Sequence, residues 1–178
     1  MIYLINLAHH TREIWTMNIK KNILKPLFQS AFIWEAGHRV PLIVRWPGKV
    51  KKGTSSSSTV CLTDWMASIA EMVGHTLAED EGEDSYSLLP LLKEPNSNFQ
   101  RPPLVHHSIN GTFALRDGPW KMVFGNGSGG RQHPVGEPFK EPYSLFNLDT
   151  DPTETTNVKN QYPAIAREMT EKLKITIH

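Results

Sequence analysis

The sequence predicts an α/β piece followed by a small α+β subdomain, on three observations. A short, mostly apolar run, VPLIVRW at 40–46, is followed by one strongly amphipathic segment, TDWMASIAEMVG. From residue 104 onward the pattern turns to short β segments broken by turn residues. A helix led by Pro163, with Ile165, Met169 and Leu173 on one face, then closes the chain. At 178 residues the chain fits one ordinary domain, or a smaller domain with part of another.

Each element follows from local chemistry. Residues 1–31 stand apart, and TREIWTMNIKKNILKPLF carries a loose helical pattern that predicts a helix over 12–24, stopped by Pro26. Residues 40–46 predict a strand apolar on both faces, stopped by Pro47-Gly48, and KVKKGTSSSS a solvated loop. The next helix takes Thr63 or Asp64 as its cap and Trp65, Ile69, Met72 and Val73 as its apolar stripe. Gly74 stands where a left-handed terminal residue is wanted. The acidic run AEDEGEDS lacks the ligand spacing of a calcium loop and predicts a solvated loop. LVHHS and GTFALRDGPWKMVFG give short strands, with Asp117-Gly118 turning a hairpin, and YSLFNLD gives another. NGSGGRQHPVGEP between them reads as a loop too polar for core. Three antiparallel strands and the terminal helix then make the α+β subdomain.

Composition excludes several classes. Nineteen basic residues stand against 18 acidic ones, a net charge of +1, which gives no electrostatic case for nucleic acid. No run reaches the roughly 18 apolar residues of a membrane helix. The opening MIYLINLAHHTREIW makes a poor signal peptide, since no basic residue precedes its apolar burst. The single cysteine, Cys61, excludes an internal disulfide framework and reads as a small buried hydrophobe.

Three stretches resemble the C-terminal part of sulfatases, the arylsulfatase-like enzymes of the alkaline-phosphatase superfamily. WEAGHRVPLIVRWPGKV is similar to the family's W/Y-E-G/A-G-x-R-x-P strand entrance and closing W-P-G, which singles out Trp34, Glu35, Gly37, Arg39 and Pro41. TDWMASIAEMVG with DSYSLLPLLK resembles its helix and D-G-x-S-L-L-P-L-L turn. YSLFNLDTDPTETTNV resembles its closing L-Y-[DN]-L-x-x-D-P-x-E-x-x-N. The resemblance implies an alkaline-phosphatase-like α/β fold in which 1–31 lie outside the family. Residues 32–103 are then the last piece of the α/β domain, a remnant of its central sheet, and 104–178 the small C-terminal subdomain.

The resemblance also implies a chemistry: sulfuric ester hydrolysis by a formylglycine made from Cys or Ser in C/S-x-P/A-x-R, with a calcium ion offsetting the sulfate charge. This chain lacks that equipment. Cys61 is followed by Thr63 and Trp65 in place of the motif's Pro or Ala and Arg, and no Asp precedes Asp64. The family's lysine four residues before the W/Y-E motif is here Ser30, a neutral hydroxyl. No catalytic residue, metal ligand or bound cofactor is therefore expected of this chain, and no turnover. A frameshift, internal start or truncation in a sulfatase gene would account for the boundary near residue 32. The implied partners are a sulfated small molecule or carbohydrate for a full-length homologue, and a missing N-terminal half for this chain. Full-length members are expected to be periplasmic or secreted. A phosphoester hydrolase fragment of the same superfamily and a non-catalytic complementation module are the alternatives.

The remaining candidates divide as follows. Glu35 is expected to pair with Arg39 at the strand entrance. His38 and His107 are the substrate-proximal candidates. His106 and His107 are adjacent on a strand and point to opposite faces, so one at most lines a cleft. Arg116 and Lys121 flank the hairpin and are expected to be solvated. Asn110 and Asn126 sit in glycosylation-type sequences but read as turn residues.

Overall fold

The computed structural model describes residues 32–38, 42–95, 97–131 and 133–177. They form two compact units, one from residues 42–101 and the other from 32–38 together with 102–177. The expected helix over 12–24, and the calls on Ser30, Arg39 and Pro41, lie outside the described residues.

In the first unit, residues 43–46 are extended but belong to no strand, and Leu42 makes only an isolated bridge. This corrects the strand expected to be buried on both faces. Leu42, Val44 and Trp46 pack on the core while Ile43 and Arg45 are exposed, so only one side of the run is covered. A two-sided apolar run needs neighbours on both sides, and the described residues supply one. Pro47-Gly48 then turns the chain, with Val50 N–H donating to the Trp46 carbonyl at 2.9 Å.

Helix α2 spans Asp64–Val73; a four-residue turn, α1, spans Glu35–His38 in the other unit. Gly74 takes the left-handed conformation at φ 74°, and the His75 N–H reaches back to the Ala70 carbonyl at 2.9 Å, closing the helix as expected. At the other end Thr63 makes no side-chain cap. The Asp64 carboxylate instead accepts from Cys61 N–H at 2.7 Å and Tyr86 N–H at 3.2 Å, and pairs with Arg101 at 3.0 Å. Ser68 accepts from Leu88 N–H at 2.8 Å and donates to the Asp64 carbonyl. These bonds turn the polar side of α2 inward beside α3, Leu89–Lys93, whose Leu89, Leu91 and Leu92 join Val50, Val60 and Leu88 in the core. The expected stripe is therefore split. Trp65 and Met72 pack on the core, whereas Ile69 and Val73 are exposed. The acidic run is a solvated loop, as read from the sequence.

The second unit is a four-stranded antiparallel sheet in sequential order: β1 Leu104–His107, β2 Phe113–Asp117, β3 Trp120–Phe124 and β4 Ser144–Asn147. That is one strand more than the three expected. Gly118-Pro119 forms the tight turn between β2 and β3, with positive φ at Gly118 alone, so Asp117 closes the ladder against Trp120. Strand alternation gives the sheet two apolar faces. On one, Leu115, Met122 and Leu145 meet Ala166, Met169 and Leu173 of α4, Pro163–Thr176. On the other, Ala114, Val123 and Phe146 pack with Ile33 and Trp34. Segment 32–38 is thus the second cover of the sheet.

The Gly/Pro loop expected to be too polar for core is partly core. Ser128, Gly129 and Gly130 are buried, and the Ser128 carbonyl accepts from Ile33 N–H at 3.0 Å. Glycine permits this approach: a Cβ on Gly130 would lie 2.0 Å from Cδ1 of Phe32.

Candidate functional site: a buried charge lock under the 32–38 turn

Arg116 and Lys121 face each other directly across β2 and β3, on the same face as Ala114 and Val123. Two like charges in that register repel unless carboxylates come between them. Both side chains are buried, Lys121 completely, which corrects the expectation that they are solvated. The apolar cover on their face leaves no route to water, so the compensating charges must come from the protein.

Glu35 supplies the first. Its Oε1 lies 2.8 Å from Arg116 Nη1 and its Oε2 3.5 Å from Lys121 Nζ. Arg116 Nε also donates to the Gly118 carbonyl at 2.8 Å. Glu154 supplies the second carboxylate, with Oε1 2.8 Å from Lys121 Nζ and Oε2 accepting from the Glu35 N–H at 2.6 Å. Lys121 donates further to the Ile33 carbonyl at 2.7 Å. Two cations and two anions therefore close on one another, and the lysine ammonium has an oxygen partner in each of three directions. The expected Glu35–Arg39 pair falls on a residue outside the described set. Glu35 itself is held by Arg116 and Lys121.

The Glu154 end is shaped by the TDPTETTN turn. Asp151 accepts from the Thr153 and Thr155 hydroxyls at 3.1 Å each and from Thr156 N–H at 2.8 Å. Burial alone would raise the Asp151 pKa, but these hydrogen bonds outweigh it and lower the value. Asn157 accepts from Leu145 N–H at 3.0 Å and ties the turn to β4. Glu154 itself adopts φ 55°.

A histidine pair flanks the lock. The rings of His38 and His106 lie 4.2 Å apart, and His38 Nε2 contacts the Phe32 carbonyl at 3.0 Å. Burial, then the Lys121 charge, lowers the His38 pKa. The same two causes, joined by His38, lower His106 to about 3, so both rings are neutral near pH 7. His106 Nε2 is buried with no hydrogen-bond partner among the described residues. His107 points to the opposite side of β1, is exposed, and contacts the Ser108 carbonyl at 3.1 Å. Gly37 lies within α1, its N–H bonded to the Trp34 carbonyl at 3.1 Å, and Trp34 meets Phe146 edge-on at 6.0 Å.

The described residues do not fit the calcium or formylglycine of sulfatase chemistry. The Glu35 and Glu154 carboxylates already surround an ammonium, and Asp64 is buried and committed to Cys61, Tyr86 and Arg101. Among the described residues no three His, Cys, Asp or Glu side chains cluster as a metal site. The Cys61 N–H is tied to Asp64, and the residues after it do not form the modification motif.

A four-stranded sheet backed by a C-terminal helix, with its W-E-A-G turn bolted to a D-P-x-E-x-x-N turn, is a sulfatase C-terminal region. The chain belongs to the family of N-sulphoglucosamine sulphohydrolase C-terminal regions, whose model matches residues 25–123. It is 32% identical over 152 residues to an N-acetylgalactosamine-6-O-sulfatase of Bacteroides thetaiotaomicron, covering 79% of this chain and 28% of that protein. It is 29% identical over 162 residues to mouse Arylsulfatase K, covering 85% of this chain and 27% of that protein. A solved structure concerning the metabolism of multiple glycosaminoglycans by Bacteroides thetaiotaomicron superimposes with a TM-score of 0.62 at 29% identity, covering 75% of this chain and 28% of that one. The chain thus spans less than a third of the length of the curated relatives it matches.

Proposed function

We propose that this chain is the C-terminal module of a sulfuric ester hydrolase and is catalytically incomplete by itself. The observation that carries the proposal is the convergence of two family motifs on Lys121, because Glu35 and Glu154 lie 119 positions apart and meet around one buried ammonium. That junction holds the backbone of 32–38 at both Ile33 and Glu35, and so sets where His38 stands. On this proposal residues 42–101 complete the alkaline-phosphatase-like α/β domain and 32–38 with 102–177 form the small subdomain, while the family match reaches back to residue 25 rather than stopping at 32.

In the assembled enzyme His38 is the residue we place nearest the substrate, backed by His106 rather than His107, because it is the His106 ring that lies 4.2 Å from it. The substrate class is a sulfated carbohydrate, supported by the N-acetylgalactosamine-6-O-sulfatase relative. Calcium and formylglycine belong to the upstream part of such an enzyme. The test is hydrolysis of a chromogenic aryl sulfate by the purified chain, co-expressed with a formylglycine-generating enzyme and supplied with calcium. Turnover indistinguishable from buffer is expected, and calcium-dependent turnover above it would refute the proposal.

The second possibility, a complementation module that works with a separate N-terminal portion, is favoured by the apolar residues exposed along α2.

A further inference from the structure

The α4 face of the sheet is covered in two pieces. Alternation along β3 puts Met122 and Phe124 on that face. Met122 packs with Ala166 and Met169 of α4, whereas the Phe113 and Phe124 rings are met by Phe139 at 5.3 Å and Tyr143 at 5.4 Å. Phe139 takes φ 55°, and two hydrogen bonds hold it there. Its N–H donates to the Phe124 carbonyl at 2.8 Å, and its carbonyl accepts from the Tyr143 hydroxyl at 3.0 Å. Between α4 and the 139–143 segment lies a cleft of about 400 Å³, a size that holds small molecules. Met122 and Ala166 form its floor, Tyr143 and Pro163 its apolar walls, and Lys159 and Arg167 its basic rim.

The acids of this cleft already have their cations. Glu141 is held by Lys159 at 2.8 Å, and Lys159 Nζ also sits 5.2 Å from the centre of the Tyr143 ring. Glu171 is held by Lys174 at 2.8 Å. Arg167 is exposed and makes no ion pair among the described residues. One guanidinium is therefore left to meet one negative charge beside an apolar floor. A sulfate half-ester carries a single charge and offers paired oxygens to a guanidinium fork. A phosphate monoester, with nearly two charges, would need the second cation that Glu141 already occupies. We propose that this cleft binds a sulfated sugar unit, with Arg167 on the sulfate and the sugar ring on the floor between Tyr143 and Pro163. The inference rests on the sulfated-carbohydrate reading above and adds a binding site for that class on the sheet face opposite His38.

The test is calorimetric titration of the purified full chain, at low ionic strength, with N-acetylgalactosamine 6-sulfate. The native chain is expected to bind it, and to bind unsulfated N-acetylgalactosamine and inorganic sulfate each at least about 10-fold more weakly, since each lacks half of the contact. Arg167→Ala should weaken binding of the sulfated sugar at least about 10-fold, and Arg167→Lys, which keeps the charge without the fork, should fall between. Arg167→Ala should melt within about 2 °C of the native chain, because its side chain is exposed and unpaired. A larger fall would overturn the assignment of Arg167 as a side chain free for ligand. Equal binding by native and Arg167→Ala chains overturns this cleft and leaves the carbohydrate reading standing. Inorganic sulfate bound as tightly as the sulfated sugar overturns the sugar half of the site. No binding by the native chain overturns the cleft alone, because the carbohydrate reading concerns the assembled enzyme. Tighter, Arg167-dependent binding of N-acetylgalactosamine 6-phosphate would overturn the sulfated class in both.

Discussion

The half-buried histidine pair makes stability fall on mild acidification, and the size of the loss follows from His106. Its pKa is lowered from 6.5 to about 3, so the folded chain binds fewer protons there than the unfolded one. The stabilisation is fully present above pH 6.5 and is lost as pH falls from 6.5 towards 3. Between pH 7.5 and 5.0 His106 alone should cost about 2 kcal/mol, at roughly 1.4 kcal/mol for each pH unit below 6.5. His38 is shifted in the same direction and adds to the loss. For a chain of this size that is a fall of about 4–8 °C in melting temperature. Asp151 does not interfere, because its carboxyl is lowered from 3.8 and titrates below this window. The assay is thermal unfolding followed by circular dichroism at pH 7.5 and 5.0, at constant ionic strength, for the native chain and His106→Gln. The variant should show less than half of the native chain's pH effect. An identical loss in both, or none in the native chain, would refute the assignment.

Two further outcomes follow from the packing of the second unit. Lys121→Met takes the buried Glu154 carboxylate's ammonium partner away and leaves Glu35 to Arg116, and should cost about 3–5 kcal/mol in urea unfolding, with Lys121→Met/Glu154→Gln recovering part of it. Gly130→Ala drives a methyl group into the Phe32 ring and should cost about 1–3 kcal/mol, most of it regained when Phe32 is also shortened to Leu. Additive effects of the paired substitutions would count against both contacts.

Local chemistry made most elements of the second unit legible. The β2–β3 hairpin, β4, the Pro163 start and the Met169 and Leu173 positions of α4 follow from turn residues and periodicity, with Ala166 buried on that face and the expected Ile165 only partly so. The lock did not, because charged residues flanking a hairpin usually face water. A signal was nevertheless present. Alternation puts Arg116 and Lys121 with Ala114 and Val123, opposite Leu115 and Met122, so apolar residues occupy both faces. A sheet covered on both faces has to bury the charges it carries. What no local pattern gives is the choice of partners, since Glu35 reaches Arg116 across 81 positions and its own N–H is held by Glu154 across 119. The split stripe of α2 failed for a different reason. Periodicity finds an apolar line but does not tell which lines the described residues cover.

Glu154 shows how the two scales of constraint meet. At φ 55° it occupies a conformation that costs a non-glycine residue on the order of 1–2 kcal/mol, so the backbone taken alone favours glycine. Glycine there would remove the carboxylate that accepts from the Glu35 N–H and pairs with Lys121. Losing one partner of a buried ion pair costs about 3–5 kcal/mol, more than the backbone gains. The side chain therefore wins, and the strain is carried by a turn already fixed through Asp151 and Asn157. On this balance the spacing D-P-x-E-x-x-N has a physical meaning. Asp builds the turn, Asn anchors it to β4, and Glu, held in a conformation it would otherwise avoid, reaches across the sheet to hold the W-E-A-G turn in place.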